Sequence, residues 1–252
     1  MHSTNHQDMK KYIIIIITAI FCTTAFAQNE NADAVFEKIT KTYTLNDDGS
    51  ISYRYFKELK LNTYMSFNRL YGETFIVYNP EFQELKINEA YTIMADGKKV
   101  EVPDNAFNEV LPRPAAHSAT FNHLREMVVT HTALERGATI FLDYTLTTKP
   151  GYWPGLMGNE IIEESSPVNE MEIVEKVPAA VELDHEIYNV RHAHEIMVVG
   201  NHKEYTWKFA GINASPKERF RGDHPETPRL VFSTQEHPGE EFNWVMRKKA
   251  LN

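Results

Sequence analysis

Along most of this chain apolar and polar residues alternate with a period of two, the pattern of strands with one buried and one wet face. The run TIFLDYTLT at 139–147 sets Ile140, Leu142, Tyr144 and Leu146 against Thr139, Asp143, Thr145 and Thr147. KEYTWKF at 203–209 aligns Tyr205, Trp207 and Phe209; ISYRYFKELKL at 51–61 aligns Ile51, Tyr53, Tyr55, Leu59 and Leu61. Turn dipeptides separate the runs. Asp48-Gly49 joins 36–45 to 51–61, and Asp96-Gly97 joins 83–94 to 99–102. Arg136-Gly137 joins 126–134 to 138–148, and Gly200-Asn201 joins 194–199 to 203–209. Gly or Asn there supplies the positive φ of tight hairpins. Further strands are predicted at 74–78, 168–177, 181–187 and 229–234. The fold class is therefore all-β: an antiparallel β-sandwich of two sheets, with a short C-terminal helix. That helix spans 239–250, where Phe242, Val245, Met246 and Ala250 share one face. Otherwise helix is confined to a turn or two at 63–71. The Pro-bearing connections 103–125 and 210–228 exceed the usual loop length and read as functional or mobile.

The N-terminus breaks the alternation. Residues 1–11 are polar and end in Lys10-Lys11; an Ile-rich run through 21 leads to Ala25-Phe26-Ala27. A charged start, an apolar middle and an A-x-A site predict a signal peptide cleaved after Ala27, and so a periplasmic or extracellular protein. A spanning helix needs roughly 20 mostly apolar residues, so no stable membrane insertion is expected. The chain divides into a leader at 1–27, a sandwich domain at 28–235 and a tail at 236–252. The one cysteine, Cys22, leaves with the leader. The mature chain then has no disulfide, thiolate metal site or cysteine nucleophile. Losing the leader removes two Lys and one Asp, which moves the net charge from −9 to −10. So acidic a chain is a poor partner for nucleic acid.

Two places carry candidate chemistry. PGYWPGLMG at 150–158 sets Tyr152 and Trp153 among Pro and Gly, either to stack on sugar rings or to plug one end of the sandwich. RHAHE at 191–195 puts His192 and His194 on one face of a strand, with His185 and His202 close in sequence. Such a pair could hold zinc only with a third ligand from elsewhere. No helical zincin pattern, nucleophile elbow or phosphate loop is present. Glu163-Glu164 and Glu240-Glu241 are adjacent pairs, which face opposite ways on a strand. No cofactor and no catalytic residue is expected.

The order of segments is informative. NDDGSISYRYFKEL is followed by FIVYNPEFQELKINEAYTIMADGKKVEVP, REMVVTHTALERGATIFLDYTLTT and SSPVNEMEIVEKVP, and finally YTWKFAGINA and RLVFST. This series resembles the bacterial domain of unknown function 3857, a secreted β-rich module that precedes a transglutaminase-like core. The resemblance implies a non-catalytic interaction or scaffold module. Its partner would be a transglutaminase-like catalytic domain, another envelope protein or a glycan. The family has no agreed catalytic residues in this module, so none is carried over. In relatives a core with Cys, His and Asp follows the RLVFST-like strand. Here 236–252 reads as a junction toward such a core, or as a helix folded back on the sandwich edge. Two other functions stay open. Exposure of Tyr152 and Trp153 beside a groove would favour a stand-alone carbohydrate-binding module. Two acids converging in a cleft would favour a carboxylate-based hydrolase.

Overall fold

The structure, a computed structural model, describes residues 32–215 and 226–234. The predicted leader, Cys22 and the terminal helix lie outside the described residues. Those described form fourteen strands: β1 (Ala34–Leu45), β2 (Ile51–Leu61), β3 (Glu73–Tyr78), β4 (Gln83–Ile93), β5 (Lys99–Glu101), β6 (Phe107–Val110), β7 (Arg125–Thr130), β8 (Thr139–Thr148), β9 (Met157–Ile161), β10 (Val168–Pro178), β11 (Asp184–Tyr188), β12 (Ala193–Val199), β13 (His202–Ile212) and β14 (Arg229–Ser233). Helix is limited to short turns, including Tyr64–Ser66 and Arg69–Gly72 within the predicted 63–71. None of the described helices is long and apolar enough to cross a membrane.

The strands make three sheets. One has eight strands in the order β12-β13-β10-β1-β2-β8-β4-β5; the others are β11-β14-β9 and β3-β7-β6. Apolar faces bind each small sheet to the large one. Phe232 and Leu230 of β14 share a buried cluster with Ile39, Leu59, Met171, Ile173 and Trp207. Ile76 of β3 and Val129 of β7 join Ala90 and Leu142 in a second cluster. The chain is thus all-β and sandwich-like, with one layer split into two sheets.

Three of the four predicted hairpins form, at Asp48-Gly49, Asp96-Gly97 and Gly200-Asn201. Their glycines have φ of +81°, +87° and +62°, which a side chain would strain. The fourth does not form. β7 pairs with β3 and β6 in one sheet, while β8 pairs with β2 and β4 in another. The segment between them crosses from sheet to sheet, tied down by Gly137 N–H to Leu61 O at 2.7 Å and by Thr92 Oγ1 to Thr132 O at 2.8 Å. Gly137 has φ +89° as a hairpin turn would, but both flanking strands already have two neighbours. One further pairing is invisible in the alternation. β1 and β10 run parallel at the centre of the large sheet, with Phe36 opposite Val168 and Thr44 opposite Lys176.

Candidate functional site

The inner face of the large sheet is not purely apolar. Alternation along β1 brings Ile39, Lys41, Tyr43 and Leu45 to one face, and register sets Lys41 beside Tyr55 and Tyr43 beside Tyr53. Tyr144 of β8 lies opposite Tyr55. From β9, Glu160 reaches this group. It accepts from Lys41 Nζ at 2.7 Å and from the Tyr43 hydroxyl. Burial, with Glu160 nearby, lifts Tyr43 well above the ordinary tyrosine range, and burial lifts Tyr53, Tyr55 and Tyr144 likewise. Burial also raises the Glu164 carboxyl, against the pull of Lys41 and Lys57.

Two outposts extend this seam. Lys57 is buried at 6% exposure and donates to Thr74 Oγ1 at 2.7 Å; that oxygen lies 2.9 Å from His131 Nε2. Burial lowers the amine to about 8 and the imidazole to about 3, with Lys57 adding to the second effect. Farther along, Glu175 has no exposed surface and accepts from Trp207 Nε1 at 2.6 Å. Burial pushes its carboxyl up to about 8. Amine, hydroxyl and imidazole are groups able to move protons. Here each is turned toward another inside the sandwich, and His131 is as buried as the apolar core. Sequence reading missed these residues, although a signal existed. The apolar face of β2 runs Tyr53, Tyr55, Leu59, Leu61 and skips position 57.

The histidines come together as their spacing predicts, on one face, but around an indole. His194 lies opposite Trp207 and stacks on it with ring centres 3.8 Å apart and planes at 1°. His192 tilts over the same ring at 5.6 Å, and His185 of β11 meets it edge-on at 4.7 Å. His202 faces Asp47 instead. Among the described residues no group of three or more His, Cys, Asp or Glu is placed to hold a metal ion.

Tyr152 and Trp153 occupy the loop after β8. Tyr152 stacks on Phe82 at 4.6 Å and 15°, and meets Trp153 edge-on at 5.1 Å. Trp153 is 49% exposed, so it does not plug the sandwich. A separate cavity of about 610 Å³ is lined by Asp48, Ser50, Gln83, Glu84, Thr147, Lys149 and Pro150, among others, and by neither Tyr152 nor Trp153. Sequence reading placed the two aromatics on a loop but not Phe82, whose role depends on β4 lying next to β8.

By fold this is an all-β, sandwich-like domain with a polar seam inside and an aromatic cluster on the loop after β8. The chain belongs to the family described as "Domain of Unknown Function with solved-structure structure (DUF3857)", whose model matches residues 47–215. Among solved structures it is similar to a "putative protease" from Parabacteroides distasonis, at 46% sequence identity and a TM-score of 0.77. The match covers 81% of this chain but 41% of that one, so this chain spans less than half of that relative's length. No curated protein matches.

Proposed function

We propose that this chain is a non-catalytic interaction or scaffold module of a secreted, transglutaminase-like protein, and that it docks on or positions substrate for a catalytic core. One observation carries the reading: the similar protein described as a "putative protease" holds this fold in 41% of its chain, leaving more than half for other parts. Within the sandwich, Lys57 donates to Thr74 Oγ1, which in turn pairs with His131 Nε2, so these groups are engaged with one another. The surface offers apolar ground for a partner, with Tyr64 74%, Met65 70% and Leu70 57% exposed around the turn before β3. Export through the leader at 1–27 belongs to the same reading, and N-terminal sequencing of secreted material should begin at Gln28.

The test has two arms. The purified chain should neither cleave peptides nor cross-link amines to glutamine. It should bind the remaining part of the Parabacteroides relative, supplied as a separate protein, in isothermal titration calorimetry. Peptide turnover that survives repurification and disappears in Lys57→Met would overturn the non-catalytic reading. Absence of binding would overturn the docking.

A further inference from the structure

We propose that β12 pairs with the β12 of a second copy of this chain, joining two large sheets edge to edge in a symmetric dimer. β12 ends its sheet, and no described strand pairs with its outer side. All seven of its residues are exposed, on both faces, with Val198 at 69% and Ile196 at 51%. Such an edge is a row of unused N–H and C=O groups beside apolar side chains. The opposite edge of the same sheet is guarded: β5 has three residues, and Lys99 and Glu101 flank Val100. β12 reads AHEIMVV, with Glu195 as its one acid and neither proline nor lysine. Its ladder to β13 runs without a register shift from Ala193–Lys208 to Val199–His202, so no bulge turns the edge away.

The hairpin decides which backbone groups face outward. Val199 and His202 close the two-residue turn Gly200-Asn201, where Gly200 has φ +62°. Residues that close such a turn exchange both of their backbone bonds. Counting back by twos, Val199, Met197, Glu195 and Ala193 bond to β13. Val198, Ile196 and His194 therefore aim their N–H and C=O groups at the free edge. An antiparallel copy centred on Ile196 sets Ile196 opposite Ile196, with His194 opposite Val198 on either side. About six N–H···O=C bonds form, all from groups that β13 does not use.

The side chains agree with this register. One face carries Ile196 against Ile196 and Val198 against His194; the other sets Met197 against Glu195 and Ala193 against Val199. No charge directly opposes its like, because the two Glu195 residues are diagonal neighbours roughly 7–8 Å apart. The pairing uses the same patch on both chains, so it closes at two. One strand pair is smaller than the roughly 1,600 Å² of a standard interface, which sets the expected dissociation constant at about 10 µM. It needs no catalytic core, so the dimer and the docking proposed above fail separately.

Sedimentation velocity on the purified chain, from about 1 to 300 µM, reads the assembly directly. The mass should rise from one chain toward two and no further. Ile196→Lys places like charges on the two-fold and should weaken the dimer at least about tenfold. Two changes at one exposed residue read the register. Met197→Lys meets Glu195 of the second copy, twice by symmetry, and should tighten the dimer about threefold. Met197→Glu should loosen it by about as much. In amide exchange, Ile196 and Val198 should slow as concentration rises, while Glu195 and Met197, bonded to β13, stay slow throughout. A chain that stays single at about 300 µM, grows beyond two, or dimerises equally well as Ile196→Lys overturns the proposal. So does a shift of the same sign from both Met197 variants, or exchange at Ile196 that ignores concentration.

Discussion

Glu175 has one carboxyl oxygen on the Trp207 indole and the other, Oε1, buried with no hydrogen-bond partner among the described residues. Its ordinary value is 4.5 and burial lifts it to about 8. Between these the folded chain keeps a proton that the unfolded chain has lost, so stability falls as pH rises through that window. His131 acts in the opposite sense. Its imidazole drops from 6.5 to about 3 on folding, so stability falls as pH drops below 6.5. Lys57, lowered from 10.5 to about 8, adds stability as pH climbs above 8. The first two effects offset each other between 4.5 and 6.5. Above that, Glu175 acts alone until about pH 8. Urea midpoints should show a loss of about 2 kcal/mol between pH 6.5 and 8. Glu175→Gln, which stays neutral and keeps an oxygen for the indole, should flatten that segment. A decline of the same size in the variant would show that another group is responsible.

At the scale of elements, β9 and β14 fit because one residue has no side chain. Gly158 lies opposite Phe232, and a Cβ there would come within 2.4 Å of the Phe232 ring. Phe232 cannot yield, since it has no exposed surface and packs edge-on against Tyr43 at 5.0 Å. Gly158→Ala should therefore cost about 1–3 kcal/mol, read from urea unfolding, as overpacked cores do. A neutral result would mean that the small sheet can slide. The same elements show how far sequence reading reaches. Long runs such as β2, β8 and β13 were legible because burial on one face forces alternation. β6 and β9 were not, because four or five residues with few buried positions leave no period to read. Arg136-Gly137 misled for another reason: a glycine reports local φ, while the partner of each strand is chosen by contacts far away. Likewise Tyr152 and Trp153 were visible as a loop pair, but the Phe82 ring stacked on Tyr152 is brought there by β4 lying beside β8.

At the scale of the whole molecule, the charged seam lies where the two small sheets meet the large one, and its members come from β1, β2, β3, β8, β9 and β10. Replacing Lys41 by Ala leaves the Glu160 carboxylate without its cation in a poorly hydrated place. That should destabilise by about 3–5 kcal/mol, whereas the double change Lys41→Met with Glu160→Gln should recover much of the loss. Thermal unfolding of the three proteins checks this, and equal losses in both variants would contradict it. The parallel β1–β10 pair has a different consequence, in time rather than energy. Five strands from the first part of the sequence, β1, β2, β8, β4 and β5, form one side of the large sheet, and three from later form the other. They join only along the ladder from Phe36–Val168 to Thr44–Lys176. During synthesis β1 must wait with an open edge until β10 has been made, and such an edge invites pairing with other chains. Closing so long a loop is slow, so refolding belongs to the millisecond-to-second range of non-local β topologies. A nascent chain halted before Val168 is the form of this protein most prone to aggregate, and the form on which a chaperone would act.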